Sequence, residues 1–140
     1  MTTSKRLAFQ GTTVSAAKSR ADIETLVLHH GASSYASGFE GEKANILFKM
    51  KNRRVRFELK LPKDDEREAM RRWRCLFHLL KSKLVSVAEG IETFEEAFLA
   101  QTLVPGHSET VAQWIGPQLA YAYEKGTAMR PLLGPAGETR

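Results

Sequence analysis

The residues able to do covalent or metal chemistry are few. They are His29, His30, His78 and His107, the lone Cys75, and the acidic pairs Asp64–Asp65 and Glu95–Glu96. Neighbouring side chains on a helix point about 100° apart, so His29 and His30 cannot close on one metal ion. No H-x-x-x-H, H-E-x-x-H or paired Cys and His spacing occurs. Walker A, G-x-G-x-x-G and G-x-S-x-G signatures are missing too. Both acidic pairs open predicted helices, where the helix dipole favours negative charge without any catalysis. Cys75 falls near the apolar side of a predicted helix, as a packing residue does. The chain is therefore expected to be non-catalytic, with no cofactor and no metal.

Binding chemistry is better represented. The stretch "KMKNRRVRFELKLP", residues 49–62, carries six Lys and Arg yet alternates like a strand with one buried face. Arg54, Arg56 and Lys60 project to one side of their strand, with Lys49 and Asn45 on the same side of the partner strand. Lys51 and Arg53 stand at the turn. Further along, Arg67, Arg71, Arg74, His78 and Lys81 recur at i, i+4, i+7, i+11 and i+14, a basic line along one helix face. Residues 49–83 hold thirteen Lys and Arg against five Asp and Glu, within a chain whose net charge is +5. Because hairpin and helix are consecutive, the two features are expected to merge into one surface. A row of point charges suits a phosphate backbone, each neutralised phosphate releasing counterion.

Blander explanations exist for both. Lys and Arg on an exposed strand discourage edge-to-edge aggregation. Basic residues on a helix flank pair with Glu66, Glu68 or the acidic "ETFEEAF" at small gain. The charged side of the hairpin also lacks aromatics, since Phe48 and Phe57 have core parity and only Leu47 is apolar there. Trp73 and Trp114 fall on apolar helical stripes and are expected in the core. Contacts to nucleic acid would then be mainly to phosphates and weakly sequence-specific.

These side chains need a scaffold. "SRADIETLVLHHG" reads as a helix, with Ser19 as N-cap, Asp22 three residues on and Gly31 after its end. Three strands follow: around Tyr35–Phe39, then Ala44–Met50, then a return strand with Val55, Phe57, Leu59 and Leu61 inside, stopped by Pro62. Residues 65–89 form the longest helix, with Met70, Trp73, Phe77, Leu80, Leu84 and Val87 on one stripe. A short helix capped by Thr93 and Glu96 comes next. The last helix, "SETVAQWIGPQLAYAYEKG", carries Val111, Trp114, Ile115, Leu119 and Tyr123 inward, with Pro117 kinking or splitting it. The order predicts an α+β fold: a three-stranded antiparallel meander preceded by one helix and covered by about three C-terminal helices. Residues 1–15 would be an extension or edge strand ("RLAF"), 16–125 a single domain, and 126–140 a loose tail.

At 140 residues, 42% hydrophobic and 26% charged, the chain suits one soluble globular domain. One cysteine rules out an internal disulfide and fits a reducing cytoplasm. No segment has signal-peptide character and no apolar run approaches a membrane span, so a cytoplasmic, membrane-free protein is expected.

Most of the chain, about residues 12–134, resembles a group of small, mostly uncharacterised temperate-phage and prophage proteins. The resemblance is carried by "TTVS…SRADIETLVLHHGASSYASGF", "ILFKMKNRRVRFELKLP" and "WRCLFHLLKSKLVSVAEGIETFEEAFLAQTLVPGHSETVAQWIGPQLAYAY", above all "KSKL…GIETFEEAFLA" and "TVAQWIGPQL". It implies a phage origin, the same domain and a bacterial host cytoplasm, and brings no catalytic residues. Genes of this group often neighbour replication and recombination genes, which implies work on DNA by association alone. The expected function is thus nucleic-acid binding through backbone phosphates, by Lys49, Lys51, Arg53, Arg54, Arg56 and Lys60 of the hairpin and Arg67, Arg71, Arg74 and Lys81 of the helix. The alternative is an adaptor or inhibitor that meets an acidic host or phage protein, or a second copy of itself, through the basic patch or an apolar helical face.

Overall fold

The computed structural model describes residues 7–129. Its elements run α1 (Ala16–His29), β1 (Ser34–Glu40), β2 (Lys43–Met50), β3 (Arg53–Lys60), α2 (Glu66–Ala88), α3 (Phe94–Phe98), a 3-10 turn (Leu99–Gln101) and α4 (Val111–Lys125). The three strands form one antiparallel sheet in the order β1-β2-β3. This is the expected α+β meander with one helix before it and helices after it.

The alternation of β2 and β3 sets which face is buried. Ala44, Ile46, Phe48 and Met50 of β2 and Val55 of β3 are buried together with Ile23 and Val27 of α1. Trp73, Leu76, Leu80 and Leu84 of α2 join them, as do Phe94, Ala97 and Phe98 of α3. Three helices therefore cover one face of the sheet. At the β2–β3 turn, Lys51 and Asn52 both take positive φ, 50° and 61°. That backbone suits the twist of a two-residue hairpin and tightens the register without a glycine.

Several local expectations need correction. Ser15, not Ser19, caps α1, accepting from the Lys18 N–H. Ser19 lies one turn inside the helix and is fully buried. It is small where α1 meets α2, and its hydroxyl accepts from Arg74 Nε at 3.2 Å. Of the "RLAF" segment, residues 7–9 belong to a turn rather than an edge strand; Arg6 lies outside the described residues. Of the expected tail, Gly126 caps α4 and residues 130–140 lie outside the described residues.

Pro117 does not split α4: the helix runs unbroken from Val111 to Lys125 with the proline inside it. The proline leaves the Gln113 carbonyl without its intrahelical donor, while a Thr110–Gln113 capping box satisfies the first turn. More consequential is what α4 does not do. Ala122 is its only buried residue, and it adds nothing to the core cluster. Tyr123, expected inward, is 83% exposed. The fourth helix stands beside β3 instead of covering the apolar face.

Candidate functional site

The register puts like charges opposite one another on the solvent face of the hairpin. Lys49 faces Arg54 and Lys43 faces Lys60, while Leu47 faces Arg56 and Asn45 faces Glu58. Directly opposed like charges destabilise a sheet. Among the described residues, no carboxylate stands within ion-pair distance of Lys49, Lys51, Arg54 or Lys60. Two further hairpin cations, Arg53 and Arg56, are occupied. Arg53 Nε lies 3.1 Å from Glu95 Oε2. Arg56 donates to the Ser108 carbonyl and to Gln113 Oε1, each at 2.8 Å, with Glu58 Oε1 at 3.8 Å. Arg56 thus ties the start of α4 to the sheet.

The helix line goes elsewhere. Trp73, Leu76, Leu80 and Leu84 lay α2 on the inner face, so its basic side turns toward α1 and residues 7–12. Arg71 grips Glu68 with two hydrogen bonds, 2.6 and 3.0 Å, and reaches the Ala8 carbonyl at 3.3 Å. Arg74 bonds Asp22 Oδ2 at 2.9 Å and lies over the Phe77 ring. The Arg71 and Arg74 side chains are only 15% and 12% exposed. His78 stacks on Phe9 at 4.5 Å. Only Arg67 and Lys81, at the two ends of the line, are exposed and unpaired among the described residues. The expected merger therefore fails: the hairpin cations project from the outer face of the sheet while α2 lies on its inner face, and the middle of the helix line is a seam holding α2 to its neighbours.

That seam is pH-sensitive. Asp22 is held below its ordinary value, chiefly by its hydrogen bond from Lys18, and Glu68 chiefly by that from Arg71. His78 is also lowered, by burial first and then by Arg74 and Lys81. A depressed histidine favours the neutral ring in the folded state, so its stabilisation is complete above the ordinary 6.5 and declines as pH falls through that value. The two carboxylates retain theirs down to their ordinary values, 3.8 and 4.5, and lose it as pH falls further. Urea midpoints are thus expected to drop in two acid steps, and His78→Asn should abolish the upper one alone.

A cleft adjoins the free cations of the hairpin. Thr102 pairs with Val55 and Leu103 with Thr110, and the Leu103 N–H donates to the Arg54 carbonyl at 2.8 Å. The segment after α3 thereby continues the sheet past β3 and sets the first turn of α4 beside it. Between them opens a space of about 620 Å³, whose walls include Lys49, Arg53, Arg54, Glu95, Leu99 and Trp114. Trp114 is half-buried and stacks on His107, with ring centroids 6.3 Å apart. The expectation that Trp114 belongs to the core is thus not met; Trp73 does. Helical spacing alone cannot separate the two tryptophans, because the stretch from residue 102 to 110 that seats α4 has no period to read. A larger hollow of about 760 Å³ near Tyr121 and Met129 has no cation in its walls among the described residues.

Among the described residues no three His, Cys, Asp or Glu side chains gather as metal ligands, and no helix is long and apolar enough to cross a membrane. The fold and site define an α+β domain with a cationic hairpin face. Comparison with family models, curated proteins and solved structures finds no match for the chain.

Proposed function

We propose that this protein is a non-catalytic nucleic-acid-binding protein that grips backbone phosphates with the outer face of the β2–β3 hairpin, in replication or recombination of phage DNA. The observation that carries the reading is the opposition of Lys49 and Arg54 with no carboxylate within ion-pair distance of either among the described residues. A face charged only for solubility gains from alternating signs, as where Glu58 stands beside Arg56; a phosphate-binding face needs uncompensated cations. Lys51 and Lys60 extend the footprint, and Arg53 joins it by leaving a half-exposed ion pair of little intrinsic worth. Arg56, Arg71 and Arg74 are assigned to holding the fold, and Arg67 and Lys81 lie off the footprint.

The test is affinity for a labelled oligonucleotide against salt. With about three or four phosphates neutralised on duplex, affinity should fall roughly 40- to 150-fold between 50 and 200 mM salt. No binding at the low-salt end would end this reading.

A second reading rests on a separate observation. Leu119, Tyr121 and Tyr123 of α4 and Ile91 before α3 are exposed large apolar residues, and such residues are where a protein partner or a second copy docks. Capture of the same host protein before and after nuclease treatment would favour this adaptor role.

A further inference from the structure

We infer that the cleft between the β2–β3 turn and the first turn of α4 receives an unstacked base of a single strand. Trp114 is the platform for the base, and Lys49 and Arg54 hold the flanking phosphates. This rests on the phosphate-binding reading of the hairpin and adds a strand preference to it. The hairpin face itself offers no ring, since Phe48 and Phe57 turn inward; the aromatic surface arrives from α4.

Three features converge. The space, about 620 Å³, falls within the roughly 300–1,000 Å³ of sites that take small organic molecules. Its walls pair the two uncompensated cations with a tryptophan that the core does not use, and the carboxylate among them, Glu95, is tied to Arg53. His107 lies nearly parallel to that indole, 24° off, so the ring is backed on one side while the residue remains half-buried at the cleft. Groove cations together with an aromatic face are what single-strand binders combine. A duplex hides its base faces in the stack and can meet only the cations.

The decisive experiment uses the full chain with two probes, an oligothymidylate of about 12 nucleotides and a DNA duplex of matched length. Trp73 is sealed in the core, so quenching of tryptophan emission reports Trp114. Oligothymidylate should quench it and the duplex should not. Trp114→Leu should lose roughly 5- to 140-fold in affinity for the single strand, with duplex affinity and its salt slope unchanged, and Trp114→Phe should keep most of it. Absence of quenching, or equal losses on both probes, overturns the base-stacking inference. If Lys49→Ala with Arg54→Ala still weakens duplex binding in that case, the phosphate reading survives. Failure of the wild type to bind either probe removes both. The quenching measurement needs no variant, so it decides even if Trp114→Leu does not fold.

Discussion

Trp73→Ala should lower the free energy of unfolding by about 3–5 kcal/mol, the range for emptying a large aromatic site in a core. Trp73 is 1% exposed and sits mid-way along α2, facing the sheet. The Arg20 guanidinium covers the ring at 5.8 Å and also reaches Phe39 at 5.1 Å, so truncation removes a shared cation–π contact between α1, α2 and β1. A domain of this size holds about 5–15 kcal/mol in total, so the variant stands near its folding limit. Trp114→Ala is the control: partly exposed and outside the core, it should cost less, about 1–2 kcal/mol. Urea titration of both variants measures the contrast, and equal losses would mean that the two tryptophans were assigned the wrong roles.

Phe98→Ala should be comparably severe, about 3–5 kcal/mol, and should reach the cleft as well. Phe98 is fully buried and meets Phe48 and Phe57 edge-on, with centroids 6.0 and 6.3 Å away, and Phe94 at 4.9 Å. Its carbonyl accepts from Thr102 Oγ1 at 2.8 Å, and Thr102 pairs with Val55 on the sheet edge. The ring thus seats α3 on the sheet, and the carbonyl it places there holds the segment that seats α4. With that anchor gone, single-strand affinity should fall even at temperatures where most of the chain stays folded, while Lys49 and Arg54 remain in place on the sheet. Stability and affinity measured on one preparation test the pair of effects; intact affinity would show that the cleft wall does not depend on Phe98.

The meander was legible because its signal is local. The period-two alternation of Ala44–Met50 and Val55–Leu61 fixes a buried face, and with it the outward direction of Lys49, Arg54, Arg56 and Lys60. Which of those cations stay uncompensated was not legible. Ser108 and Gln113 occupy Arg56 from 52 and 57 residues away, and Glu95 occupies Arg53 from 42. The helix line misled for the same reason. Five basic residues at helical spacing serve a phosphate row or an ion-paired seam equally well, and the deciding partner, Asp22, lies 52 residues from Arg74. Ser19 with Asp22 imitated a helix start because a buried serine that accepts from an arginine has the same composition as a cap. Nothing local marked Trp114 as a cleft residue, since its exposure follows from where Thr102 and Leu103 attach to β3.

The account turns on the hairpin face, not the helix line, meeting phosphate. Two charge-matched double variants separate them: Lys49→Ala with Arg54→Ala on the sheet, and Arg67→Ala with Lys81→Ala at the exposed ends of the line. The measurement is the slope of log affinity against log salt on duplex DNA. The sheet variant should flatten that slope by about 1.8, the loss of two phosphate contacts, and the helix variant should leave it at the wild-type value. A slope flattened by the helix variant and untouched by the sheet variant would place the nucleic acid on the opposite side of the molecule.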